Sequence, residues 1–441
     1  MISSIAILGS GMAGLGAACR LADAGARATV YEKHSRPGGH TRSFATADGF
    51  IFDDGPHISF TKNPRLQEML AESVDGEFEI LQARVNNLWR GHWIKHPAQC
   101  NLYGLPAELV SRALEDFVAA GGMADGVPPA NYEEWLRAAY GDTFAETFPM
   151  EYGWKYHTVD ARRMSTDWLG PRLYRPDLAE VLHGTLSAET ADVHYVDHFR
   201  YPSQGGFESY LRKFFGRARI ECGREVSEID PEAAVVHFAD GSEISADAVI
   251  SSLPLPELVA RIRDVPVEVR EAAARLACTT CVTVNLGIRR EDLSDYHWTY
   301  LYDREQTATR LSFPHLFSPA NVPKGCGSIQ AEVYFSKKYR PLNVAPRDLI
   351  QPVTEDLREC GLLREDDEIL HADVRLIPYA NVIFDLNRQE AVTLIRAYLD
   401  EVGLATCGRY GEWGYQWTDE AFESGEAAAQ RVLDGTRLSR R

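Results

Sequence analysis

Ile5-Ala6-Ile7-Leu8 is an unbroken apolar run, the pattern of a parallel strand covered on both faces. It leads directly into Gly9-Ser10-Gly11-Met12-Ala13-Gly14 and an Ala/Leu-rich helix through Ala24, which Gly25 closes. Ala28-Thr29-Val30-Tyr31 predicts the next strand, ending at Glu32. Further on, the pattern predicts helices over Asn63 to Ala71, Tyr132 to Tyr140 and Pro176 to Leu182. A short hairpin is expected from Trp89 to Pro97 around Arg90-Gly91, and a Gly/Pro-rich loop from Gly121 to Pro129. Ile220 to Ile229, Ala234 to Phe238 and Glu243-Ile244 read as a meander with a hairpin turn at Asp240-Gly241, and Asp247 to Ile250 as a buried strand.

The second half changes character. Val282 to Gly287, Thr299 to Tyr302, Thr309 to Phe313 and Ser328 to Phe335 have the β-branched and aromatic content of a separate antiparallel sheet. Helices are expected at Pro346 to Cys360 and Arg388 to Val402, then a strand at Leu404 to Cys407 and a helix from Thr418 to Leu433. The fold class is therefore α/β, a Rossmann-type dinucleotide domain joined to a mixed α+β substrate domain on an antiparallel sheet. The expected partition is discontinuous: 1–85, 200–255 and 385–436 form the dinucleotide domain, and 86–199 and 256–384 the substrate domain with a helical insertion.

With 441 residues the chain is long enough for two or three domains and a large core. Its net charge of −18, from 64 acidic and 46 basic residues, argues against nucleic-acid and anionic-membrane partners. The start lacks the basic and cleavable features of a signal peptide, and no apolar run reaches about 18 residues, so a cytoplasmic protein is expected. Eight scattered cysteines form no metal-ligand set. The Cys278-Thr-Thr-Cys281 spacing is read as reduced thiols in a core strand rather than a redox pair.

The chemistry concentrates at the first turn. Strand, Gly9-x-Gly11-x-x-Gly14, helix, strand and Glu32 together form a dinucleotide-binding fingerprint. Gly9 permits the turn, Gly11 admits a pyrophosphate, and Gly14 allows close packing of helix on strand. Met12 and Ala13 open the helix whose N-terminus faces the phosphates, and Glu32, followed by Lys33, accepts the adenosine ribose hydroxyls.

Lys33 to Ser43, with Gly38-Gly39 and Arg42, resembles the second glycine-rich loop of FAD-dependent amine oxidases, protoporphyrinogen oxidases and UDP-galactopyranose mutases. Asp53-Asp54-Gly55-Pro56-His57-Ile58 is similar to a Gly-Pro-His-Ile segment of the mutases. Glu225-Val226-x-x-Ile229 and Cys407-Gly408-Arg409 through Trp417-Thr418 resemble further segments of the superfamily. The resemblance implies a GR2-type flavoprotein with non-covalent FAD. It implies that Gly39, Arg42, Gly55, Pro56, Val226, Gly408, Arg409, Trp417 and Thr418 contact the cofactor, that His57 lies at the flavin edge or substrate, and that Arg172 approaches the substrate. Trp154, Tyr302, Arg310 and Trp413 are further candidates for the substrate pocket, together with Trp298, Tyr300 and His315 on the second sheet.

The chain departs from the mutases at two places. Their second arginine has no match in Ala277 to Val282, and Asn381-Val382-Ile383-Phe384-Asp385 lacks both tyrosines of their Tyr-Pro-Ile-Tyr-Asp segment. These losses oppose simple sugar-ring mutation. The expected activity is FAD-dependent oxidation of a small polar substrate, such as a sugar, nucleotide sugar, amine or natural-product intermediate, by hydride transfer to flavin N5. A redox-neutral, mutase-like isomerase using reduced FAD is the alternative, and a non-catalytic FAD-binding protein a third reading.

Overall fold

A computed structural model describes residues 4–121, 128–170, 173–193 and 195–438. The apolar run Ile5–Leu8 forms the centre of a five-stranded parallel sheet, pairing with Ala248–Ser251 on one side and Ala28–Glu32 on the other. Leu404–Thr406 and Arg219–Cys222 complete the two edges. The central strands are buried on both faces, which accounts for their lack of polar alternation. The helices Met12–Asp23 and Thr418–Leu433 cross closely over one face. A Cβ added at Gly16 would lie 2.1 Å from the Phe422 carbonyl oxygen, and one at Gly425 would lie 1.9 Å from that of Ala13.

The second sheet has seven strands in the order Ile369–Ile377, Thr279–Ile288, Gly327–Ser336, Arg310–Ser312, Trp298–Leu301, Val85–Trp89, His92–Lys95. It is antiparallel except where Trp298–Leu301 runs parallel to Val85–Trp89. Side chains alternate between faces along each strand. Val282, Val284, Leu286, Ile329, Ala331 and Val333 therefore share a core with Val353 and Leu357 of the helix Ile350–Glu359. The residues between them point the other way.

The α/β class and the antiparallel second sheet agree with the reading of the sequence. One strand does not. The expected strand Ile220 to Ile229 divides at Gly223, which has φ +73°. Arg219–Cys222 joins the parallel sheet, while Val226–Asp230 starts a separate three-stranded sheet with Val235–Phe238 and Glu243–Ser245. A left-handed residue rotates the chain out of one sheet plane, and glycine adopts it without steric cost. The expected loop over Gly121 to Pro129 lies outside the described residues for 122–127, as does Arg172. Among the described residues no helix is long and apolar enough to cross a membrane.

Candidate active site

A cleft of about 840 Å³ runs between the parallel sheet and the seven-stranded sheet. On the parallel-sheet side its wall starts at the first glycine turn. A Cβ at Gly14 would lie 2.0 Å from the Gly9 carbonyl oxygen, so only glycine lets the helix begin this close to its strand. Gly11 caps the helix without a side-chain bond, and no acid occupies the first turn. The N–H groups at Met12 and Ala13 and the positive end of the helix dipole thus face the cleft, available to an anion. Gly39 backs onto this turn: a Cβ there would be 2.8 Å from the Gly11 Cα.

Glu32 is buried at the strand end, where its carboxylate accepts from the Ser10 hydroxyl at 2.5 Å, the Ser10 N–H at 3.1 Å and the His34 N–H at 2.9 Å. Lys33 and Val226 lie on the same wall. Arg42 donates to Asp54 at 3.2 Å, and Asp54 also receives Arg375 Nε at 2.8 Å. Arg42 Nε is buried without a partner.

Gly55, Pro56 and His57 continue the wall. His57 Nδ1 lies 2.7 Å from the Gly55 carbonyl oxygen, so this nitrogen carries the proton and donates. Burial lowers the pKa of His57, keeping the ring neutral and leaving Nε2 as an acceptor. His40, edge-on to Tyr410 at 5.2 Å, is pushed down to about 4, first by burial and then by His57. Gly408, Arg409, Trp417 and Thr418 close this side, where the N–H of Trp417 donates to Glu420 at 2.8 Å. Trp417 stacks on Tyr195 with centroids 5.5 Å apart and meets Phe60 edge-on at 4.9 Å, forming an aromatic rim.

The seven-stranded sheet supplies the opposite wall through the face turned away from its core. Cys281, Glu332, Tyr334, Arg310, Tyr300 and Trp298 all line the cleft. Arg310 and Glu332 are direct cross-strand neighbours, and Arg310 donates to both carboxylate oxygens through Nε and Nη2. Tyr156 reaches the same space from the helix Pro149–His157. Burial raises the pKa of Tyr156, Tyr300 and Tyr334, so these phenols stay protonated. The cleft thus joins an anion cradle to a chamber of neutral phenols around one ion pair.

Three candidates from sequence lie elsewhere. Trp154 is held between the guanidinium groups of Arg304 and Arg340, each 4.7 Å from its ring. Tyr302 is buried against Phe148 and Tyr152, with its hydroxyl 3.5 Å from Asn87. Trp413 is 1% exposed behind the wall, where Arg388 Nε donates to its carbonyl at 2.8 Å. Aromatic residue type alone does not separate packing from lining, and in all three packing prevails. His315 is likewise buried, 3.1 Å from the Ser328 carbonyl. Glu332, Tyr156, Tyr334 and Asn381 join the cleft wall in addition to the site residues expected from the sequence. Glu332 carries a signal in the sequence, as the single charged residue in the ten-residue run Gly327–Ser336. Among the described residues no group of three or more His, Cys, Asp or Glu is placed to hold a metal ion.

The sequence profile of flavin containing amine oxidoreductases matches residues 12–433. A 4,4'-diapophytoene desaturase from Staphylococcus haemolyticus is 48% identical over 75 residues, 17% of this chain and 14% of that protein. A 15-cis-phytoene desaturase from Narcissus pseudonarcissus is 21% identical over 286 residues, 57% of this chain and 47% of that protein. The matches thus span less than half the length of these two curated relatives. A crystal structure of reduced UDP-galactopyranose mutase superposes with a TM-score of 0.92 at 25% identity, covering 98% of this chain and 95% of the mutase.

Proposed function

Because this chain belongs to the flavin containing amine oxidoreductase family, whose cofactor is FAD, we propose that it oxidises a small polar substrate bound between the Arg310–Glu332 pair and the tyrosines of the cleft. The substrate is a sugar, nucleotide sugar, amine or natural-product intermediate. The carrying observation is that this polar chamber and the anion cradle are two ends of one cleft. FAD supplies the hydride acceptor when bound. Its diphosphate is held by the turn Gly9 to Gly14 with Gly39 and Arg42, and its adenosine by Glu32, Lys33 and Val226. Gly55, Pro56, Gly408, Arg409, Trp417 and Thr418 hold the flavin half, without a covalent bond. Cys281, the cysteine on the cleft wall among the described residues, is kept as a thiol by burial.

The chain's own groups then orient substrate and move its proton. Arg310 and Glu332 offer a fixed donor–acceptor pair, and Tyr156, Tyr300 and Tyr334 offer hydroxyls that stay protonated. His57, neutral and with Nε2 unprotonated, accepts the proton released as the substrate loses hydride. A chamber with this polarity suits a hydroxylated or amino substrate better than a hydrocarbon. The eight free cysteines fit a reducing, cytoplasmic setting.

The second reading is a redox-neutral isomerase working with reduced FAD, favoured by the near-complete superposition on the mutase. Cys281 and Asn381 on the cleft wall, where the sequence departs from the mutases, weigh against it. Candidate substrates mixed anaerobically with the holoenzyme decide between the two. Bleaching of the flavin absorbance by a substrate supports oxidation. Turnover only after dithionite reduction, with no net redox change, overturns oxidation in favour of isomerisation.

A further inference from the structure

Among the described arginines that line the cleft, Arg409 differs from the others in having no carboxylate partner. Arg42 and Arg375 share Asp54, and Arg310 is bound by Glu332. Arg409 has only neutral contacts among the described residues. Its Nη1 donates to the Gln416 carbonyl at 3.2 Å and its Nη2 to Asn381 Oδ1 at 2.7 Å. The guanidinium lies 4.6 Å from the Tyr415 ring centroid, and its Nε is buried without a partner.

Asn381 is itself fixed by backbone. Its N–H donates to Thr279 Oγ1 at 2.9 Å, and its carbonyl accepts from the Thr279 N–H at 2.7 Å, locking it to the first residue of the long strand Thr279–Ile288. The same Oδ1 that receives Arg409 also receives the Tyr156 hydroxyl at 3.0 Å. One amide oxygen therefore joins the arginine beside Gly408, on the cofactor side, to a phenol of the substrate chamber.

We propose that Asn381 is a positioning residue that fixes Arg409 while leaving its charge unneutralised, so that the charge favours the reduced, more negative state of the bound flavin, and that orients Tyr156 with its oxygen open to substrate. A neutral acceptor is what this role requires. A carboxylate in the same place would form an ion pair and cancel the field at the cofactor, whereas an apolar side chain would let the guanidinium drift. The inference rests on FAD occupying the cleft and is independent of which reaction is catalysed there.

The test is the flavin midpoint potential of the purified holoenzyme without substrate, by dye-coupled reductive titration, for wild type, Asn381→Asp and Asn381→Ala. Asn381→Asp is expected to lower the equilibrium constant for reduction at least tenfold, about 30 mV downwards for a two-electron couple. Asn381→Ala is expected to fall between it and wild type. A purely structural role would lower FAD occupancy or thermal stability without this ordering. Potentials within error of wild type in both variants would overturn the proposal, and if Asn381→Asp does not retain FAD, Asn381→Ala decides alone. Because no substrate is present, a wrong assignment of the reaction leaves this result untouched.

Discussion

Arg310 faces Glu332 directly across two antiparallel strands, and both carboxylate oxygens of Glu332 receive its guanidinium inside the cleft. Glu332→Ala would leave a guanidinium in the wall without its carboxylate. Removing one partner of a buried pair costs about 3–5 kcal/mol, which the openness of the cleft to water reduces here to roughly 1–3. Thermal unfolding of the single variant should show this loss. Arg310→Met combined with Glu332→Leu should recover most of the stability, since neither charge then needs a partner, but not substrate-driven flavin reduction. Recovery of both would show that the pair serves packing alone.

Glu32 makes its three hydrogen bonds where the nucleotide ribose is expected to lie. Bonds to a charged acceptor contribute about 1.5–3 kcal/mol each. Glu32→Ala should weaken FAD binding by roughly 10- to 150-fold, read from quenching of flavin fluorescence on titration into apoprotein. An unchanged dissociation constant would remove Glu32 from the site.

Asp53 is buried beneath the cleft wall, where it accepts from the Ser43 hydroxyl at 2.6 Å, the Tyr201 hydroxyl at 2.8 Å and the Phe207 N–H at 3.0 Å. Burial outweighs these bonds and raises its pKa from 3.8 to about 6. The folded state thus holds this proton more tightly than the unfolded chain. The associated stability is fully present below about pH 4 and is lost as pH rises through about 6. The difference in melting temperature between wild type and Asp53→Asn should therefore shrink from pH 4 to pH 6 and level off above pH 7. A flat difference across that range would contradict the assignment.

The contact of Gly425 with Ala13 predicts a different kind of loss. Gly425→Val forces apart the two helices over the parallel sheet, and overpacking of this kind costs about 1–3 kcal/mol or more. Since Met12 and Ala13 also form the anion cradle, the variant should lose FAD at temperatures well below unfolding. Differential scanning with flavin fluorescence as a second channel separates the two events.

Features set by local rules were legible in the sequence. The turn from Gly9 to Gly14, the helix Thr418–Leu433 and the Asn63-capped helix Pro64–Ser73 depend on neighbours in the chain, and each occurs where the pattern places it. What depends on the facing of two sheets was not. Tyr300 and Tyr302 are two residues apart in one aromatic stretch, yet one lines the cleft and the other packs against Phe148. The run Gly327–Ser336 is buried on both faces, so apart from the lone charge of Glu332 its pattern gives no clue that Tyr334 borders a cavity rather than a core. Gly223, one residue in an otherwise continuous strand pattern, decided where one sheet ends and another begins.

The parallel sheet takes its strands from residues 5–8, 28–32, 219–222, 248–251 and 404–406. Such non-local pairing makes for slow folding, and here it also sets an order of events during synthesis. At about 5–20 residues per second, the ribosome reaches Gly408 roughly 20–80 s after Gly9. Throughout that interval the first glycine turn has neither the edge strand Leu404–Thr406 nor the helix that packs over it. Until that helix docks, the cradle for FAD lacks one of its supports, and the face of Met12–Asp23 that it covers in the folded protein is without that partner. Stable loading of the cofactor is therefore expected only after Thr418–Leu433 docks, and the yield of active protein should depend on the supply of free FAD at that moment.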